Sequence, residues 1–107
     1  MDSNIVIITG RLTRDVDYRS TATGTAVAEF GIASGNGDNV YFGAVTAWNS
    51  TADYLRRNAR KGTWVLVSGR LTRDEWRSRG GEKQSKTRIV ANTVEILRQP
   101  GDGGPSE

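Results

Sequence analysis

Apolar and polar residues alternate along most of this chain in short blocks, and turn-forming clusters separate the blocks. Ile5-Val6-Ile7-Ile8 is a β-branched run that closes at Gly10 and predicts a first strand buried in part on both faces. Ser20 to Gly24 is a turn cluster, and Thr25 to Ala33, with Val27, Phe30 and Ile32, reads as a second strand. Ser34-Gly35-Asn36-Gly37-Asp38-Asn39 is a turn, and Val40 to Trp48 runs back from it, so these two strands form a hairpin. The period then changes. Ala52, Leu55 and Ala59 fall on one side of a helix, and Arg56, Arg57 and Arg60 fall on the other. Asn49 or Ser50 is the expected N-cap, and Gly62 the expected left-handed C-terminal cap. Thr63 to Arg73 is a long strand with Val65, Val67 and Leu71 in one phase. Ser78 to Glu82 is a loop, and Thr87 to Leu97 is the last strand. Its apolar phase shifts from Ile89 and Ala91 to Val94 and Ile96, which predicts a bulge near Asn92-Thr93.

Three strands, one helix and two more strands make an all-β chain with a single helix. That order is the order of an OB-fold, the five-stranded, partly open Greek-key barrel. The expected domain is residues 1–98, followed by a disordered tail over 99–107, where Gly, Pro and Asp leave nothing to build a core. One hexapeptide recurs: Gly10-Arg11-Leu12-Thr13-Arg14-Asp15 returns as Gly69-Arg70-Leu71-Thr72-Arg73-Asp74. Two barrel strands then end alike, with a Gly at a tight bend, an inward Leu and outward polar residues.

Composition narrows the chemistry. The 107 residues suit one domain with a modest core, and 25% charged against 36% hydrophobic residues is an ordinary folded composition. No Cys is present, so disulfides and thiolate metal sites are excluded; no His is present, which removes the commonest general base and metal ligand. The carboxylates are scattered apart from one D-x-D triplet, Asp15-Val16-Asp17, and no E-x-x-E pair occurs. No catalytic residue, cofactor or metal is therefore expected, and the protein is read as a non-enzyme. The apolar run Ile5 to Ile8 is too short for a signal peptide or a membrane span, so a cytoplasmic location is expected.

A net charge of +3 says little, but its distribution says more. From Tyr54 to Arg73 there is no acidic residue, while Arg56, Arg57, Arg60, Lys61, Arg70 and Arg73 are basic; a second basic stretch runs from Arg77 to Arg88. Arg60 and Lys61 also suit the C-terminal end of a helix. Trp76 stands among Arg73, Arg77 and Arg79 at the start of a flexible polar loop, where core packing does not explain it. Trp48 ends a strand just before the basic helix. Flat aromatic faces beside spaced cations are what a single-stranded nucleic acid requires, because each base can stack and each phosphate can be met. Trp64 lies out of phase with Val65 and Val67 and shares the outer face with Leu66, which points to a subunit interface. Phe30 and Tyr54 are expected in the core.

Read together, these residues resemble the bacterial single-stranded DNA-binding protein family. The likeness runs through Gly10 to Asp15, Arg19, Thr23 to Ala28, Phe30, Phe42 to Trp48, Ala52 to Leu55 with Lys61-Gly62, and Gly69-Arg70-Leu71 with Trp76. It covers roughly residues 4–97. The resemblance implies a nucleoid-associated OB-fold protein, usually a homotetramer, that protects single-stranded DNA without sequence preference in replication, recombination and repair. It implies stacking by Trp48, Trp76 and Phe42. The cations Arg11, Arg14, Arg19, Arg70 and Arg73 would line the groove, with Arg77, Lys83 and Lys86 in or beside the last hairpin loop. The sequence departs from the family at the short Ser34–Asn39 loop, at Asp74-Glu75 and at Val16. The resemblance also implies replication and repair proteins as partners, but Ser106-Glu107 does not match the acidic C-terminal tip that recruits them in the family, so recruitment of that kind is not expected. A second expectation follows from these departures: an adaptor of OB-fold ancestry that acts mainly through protein–protein contacts.

Overall fold

The computed structural model describes residues 2–101. Its elements are β1 (Val6–Leu12), β2 (Asp17–Ser20), β3 (Ala26–Asn36), β4 (Asn39–Trp48), α1 (Asn49–Asn58), β5 (Trp64–Arg77) and β6 (Lys83–Arg98). The strands lie in the order β1-β5-β6-β4-β3-β2, and β1 also pairs with β3. Five strands thus close a ring, β1-β5-β6-β4-β3, and β2 is an added edge on β3. The ring is an OB-fold barrel, and its two weakest seams explain why it is partly open. β1 meets β3 only at Arg11↔Ala33 and Leu12↔Ile32, and β4 meets β6 in parallel only at Val45↔Ile89 and Thr46↔Val90.

Alternation along each strand fills the barrel. Leu12, Phe30, Ile32, Val45, Val65, Val67 and Ile89 are buried, and Ala52 and Leu55 of α1 cover one end. Phe30 is core as expected, whereas Tyr54 is only half-buried. β1 is not buried on both faces: Val6 and Ile8 pack inward, but Ile5 and Ile7 are 74% and 68% exposed because nothing among the described residues covers that side.

The bulge expected near Asn92-Thr93 is present: Ser68 pairs with Thr93 and Gly69 with Ala91, which leaves Asn92 unmatched. It restores the inward phase on both sides. The repeated Gly has a physical basis in close approach. A Cβ on Gly10 would strike the carbonyl oxygen of Ala33, and one on Gly69 would strike that of Val90. The repeats then diverge. Leu12 is buried in the barrel, but Leu71 is 44% exposed because β5 and β6 continue past the barrel as a two-stranded arm.

Several boundaries differ from expectation. β3 runs on to Asn36, so the turn shrinks to Gly37-Asp38. β5 extends to Arg77 and β6 begins at Lys83, because cross-strand pairing continues beyond the hydrophobic pattern. Trp48 occupies the N-cap of α1 with no side-chain cap bond, so neither Asn49 nor Ser50 caps it. The helix stops at Asn58, and Gly62, with φ 89°, serves the following turn instead. That turn is fastened to β1: Gly62 N–H donates to Leu12 O, and Lys61 N–H donates to the Asp15 carboxylate at 2.7 Å. Gln99 Nε2 donates to Asn58 O and Arg60 to Pro100 O, while residues 102–107 of the expected tail lie outside the described residues.

Candidate nucleic-acid interface

The outer face of the barrel over β3, β4 and β6 forms a cleft of about 410 Å³. Its floor is made by β4, whose outward positions alternate Phe42, Ala44, Thr46 and Trp48. Ala44 keeps the floor low, and Trp48 rises at one end, 40% exposed. Arg14, from the bend after β1, and Arg19, from β2, stand on the Trp48 side. Lys86 and Arg88 of β6 and Asp74 of β5 form the other wall. Arg19 is placed by register: it pairs with Val27, which pairs in turn with Trp48, so the three residues make one row across β2, β3 and β4.

Two ion pairs lie within this cleft. Arg19 Nη1 donates to Glu29 Oε1 at 3.0 Å, and Arg88 Nε donates to Asp74 Oδ2 at 2.8 Å. The hydrogen bond to Glu29 holds the Arg19 guanidinium above its ordinary value. Arg14 and Lys86 enter no ion pair among the described residues. The cleft therefore offers four cations, two of them already matched by carboxylates.

The structure divides the expected site residues into groups. Trp48, Arg14, Arg19 and Lys86 share the cleft. Phe42, 69% exposed, lies on the same face of β4 as Trp48, six residues or about 20 Å away at an ordinary strand rise. Trp76, 49% exposed, sits within β5 opposite Gln84 rather than at the start of a loop. Strand alternation gives it the same face of the arm as Arg70, Asp74, Lys86 and Arg88, so it continues the cleft outward.

Other residues lie apart. Arg73, Arg77 and Lys83 occupy the opposite face of the arm. There Arg73 and Lys83 both pair with Glu75, at 3.1 and 3.5 Å, and Arg77 donates to Gly81 O. Arg11 lies outside the cleft in a row with Phe42, Ala33 and Trp64, and lines a separate cavity of about 240 Å³ with Thr9, Ser34 and Asn36. Arg88, Glu29 and Thr46 are site residues that the sequence reading misses. The available signal for Arg88 is its phase with Lys86; the pairing of its charge with Asp74 across the arm leaves no trace in sequence spacing.

Trp64 and Leu66 are half-buried on the outer face of β5. The guanidinium of Arg98 lies 5.8 Å from the Trp64 ring centroid, within the range of a cation–π contact. Thr9 pairs with Leu66 and Ile7 with Ser68, so exposed Ile7 shares this face. Tyr18 and Arg56 join β2 to α1: the phenol donates to Asp53 at 2.7 Å, and the Arg56 guanidinium lies 4.8 Å above the ring. Among the described residues, no three acidic side chains are grouped closely enough to hold a metal ion. No helix among them is long and apolar enough to cross a membrane.

A small OB barrel with a basic, aromatic outer face is the class of module that this geometry defines. A model of the single-strand binding protein family matches residues 3–97, and the chain belongs to that family. It is 35% identical over 107 residues to the single-stranded DNA-binding protein of Wolinella succinogenes, covering 92% of this chain and 66% of the relative. It is 38% identical over 109 residues to a protein of that name from Thermus thermophilus, with coverages of 96% and 41%. The protein of that name from Thermus aquaticus is 39% identical over 110 residues, with the same coverages. The chain thus spans just under two thirds of the Wolinella relative and about two fifths of the Thermus relatives.

Proposed function

We propose that this protein binds and protects single-stranded DNA without sequence preference, in replication, recombination and repair. The observation that carries the reading is the cleft in which Trp48 shares one surface with Arg14, Arg19, Lys86 and Arg88. Bases stack on exposed aromatic faces and phosphates follow the cations, a combination that tolerates any sequence. Trp48 and Trp76 are the main stacking groups. Phe42 extends the track along β4, and Arg70 supplies a further cation on the Trp76 face. Arg11 stands in the row of Phe42 and serves a strand that reaches that far, whereas Arg73, Arg77 and Lys83 serve only a strand long enough to pass around the arm. No step requires a catalytic group, a metal or a cofactor.

The chain acts as a homo-oligomer, a tetramer by family resemblance. Ile7, Leu66 and Trp64 on one outer face support an interface there, since apolar residues gathered on a barrel exterior mark contact surfaces. A nucleoid-associated location in the cytoplasm follows from the same function. Filter binding with oligo-dT, oligo-dC and a mixed sequence tests the reading. Similar retention of all three, with duplex DNA a poor competitor, is the expected result.

A second reading, an adaptor working through protein contacts, draws on the carboxylates of the arm: Asp74 and Glu75 neutralise Arg88, Arg73 and Lys83. Absence of any oligonucleotide retention in the same assay would favour it.

A further inference from the structure

The Arg19–Glu29 and Arg88–Asp74 pairs lie inside the cleft that a strand would occupy, and they engage two of its four cations. Their geometry is not that of a rigid scaffold. Each is made through a single guanidinium nitrogen rather than a bidentate fork. The carboxylate side chains are 37% and 44% exposed, so water reaches both pairs and each can open at little cost. Asp74 is the more open partner of its pair, 44% against 25% for Arg88, and Arg19 of its pair, 54% against 37% for Glu29, so an entering phosphate competes with a carboxylate for each guanidinium. Among the described residues neither carboxylate is hydrogen-bonded to Trp48 or Trp76, although both line the cleft with Trp48.

We propose that Glu29 and Asp74 are built-in competitors of the phosphate backbone, which hold Arg19 and Arg88 until a strand displaces them and so keep the grip weak and readily released. The proposal rests on reading the cleft as a single-strand site. Its consequence is that binding depends less on salt than four cleft cations would imply, since two are neutralised from within. On single strands each phosphate contact contributes about −0.7 to the slope of log affinity against log salt.

The test compares the wild-type protein with Glu29→Gln, Asp74→Asn and the double variant, each checked for an unchanged circular dichroism melt. Asp38→Asn, at the tip of the β3–β4 hairpin outside the cleft, makes the same charge change as a control. Oligo-dT is titrated by tryptophan fluorescence over a range of salt. Each cleft variant is expected to bind about two- to five-fold more tightly at low salt, the scale of exposed ion-pair couplings. Each should also steepen the salt slope by about 0.7. Asp38→Asn moves neither quantity. Unchanged or weaker binding by the cleft variants overturns the proposal and makes the carboxylates aids to arginine orientation. Inorganic tripolyphosphate, titrated in parallel, reads the anion affinity of the cleft without a base. If oligo-dT fails to bind the wild type, the single-strand reading falls, and the tripolyphosphate comparison still decides the role of the carboxylates by the same criterion.

Discussion

Trp76 and Arg77 are neighbours in sequence yet face opposite sides of the β5–β6 arm, Trp76 with Asp74 and Lys86, Arg77 with Glu75 and Lys83. The arm therefore carries Trp76 beside the Arg88–Asp74 pair on one face and the Arg73 and Lys83 pairs with Glu75 on the other. Trp76→Ala is expected to weaken binding to every single-stranded sequence alike, by about 1–3 kcal/mol. Arg77→Ala, whose guanidinium already donates to Gly81 O, is expected to change affinity by less than about 0.5 kcal/mol. Fluorescence titrations of both variants check the contrast.

Trp48 ends β4 and opens α1, so its ring is anchored by two elements while its face lines the cleft. Trp48→Phe should retain most of the affinity and Trp48→Ala should lose about 1–3 kcal/mol. A ring that served only to cap the barrel would instead lower the melting temperature of Trp48→Ala and leave the affinity of the folded protein intact.

Gly69 allows β5 to pass close to the Val90 carbonyl of β6. Because the obstacle is backbone, it cannot be relieved by a rotamer change. Gly69→Ala should cost about 3 kcal/mol or more, at the upper end of overpacking effects. Chemical denaturation of the variant measures this directly.

How far the chain can be read from its sequence depends on whether the barrel or its surroundings impose the pattern. The inward phase of Val65, Val67 and Ile89 and the slip at Asn92 are legible because the core dictates period two and punishes any break in it. The short β2 is not, since Asp17-Tyr18-Arg19-Ser20 is held by pairing with β3 and by Tyr18 on Asp53, neither of which marks the local sequence. The end of the arm looks like a loop in sequence because polar residues outside the barrel carry no apolar alternation. For the same reason the exposure of Trp76 is recognisable, but its separation from Arg73, Arg77 and Lys83 is not. Cross-strand partners such as Arg88 and Asp74 lie 14 residues apart and become neighbours only through the register.

The Tyr18 hydroxyl donates to Asp53, and this bond, with partial burial and the nearby carboxylate, raises the phenol above its ordinary value of 10.0. The Arg56 guanidinium over the ring opposes the shift. A group whose folded value is raised contributes stability below its unfolded value and loses it as pH rises through the folded one. The wild type should therefore lose stability above pH 10, and Tyr18→Phe should lose less over that interval. Thermal melts of both proteins across the alkaline range measure the difference.

Trp64→Ala and Leu66→Asp should shift the protein to a smaller assembly by removing the apolar outer face that they share with Ile7. Light scattering reads the mass. The monomer fold should survive in both, because neither side chain enters the barrel core.

Titration of the tryptophan fluorescence with oligo-dT over a range of salt concentrations tests most directly whether a strand lies on Trp48 and Trp76 among the cleft cations. Quenching that saturates, with affinity falling by about 0.7 log units per phosphate contact for each tenfold rise in salt, is the expected result. Fluorescence that stays unquenched at low salt, or binding indifferent to salt, would contradict it.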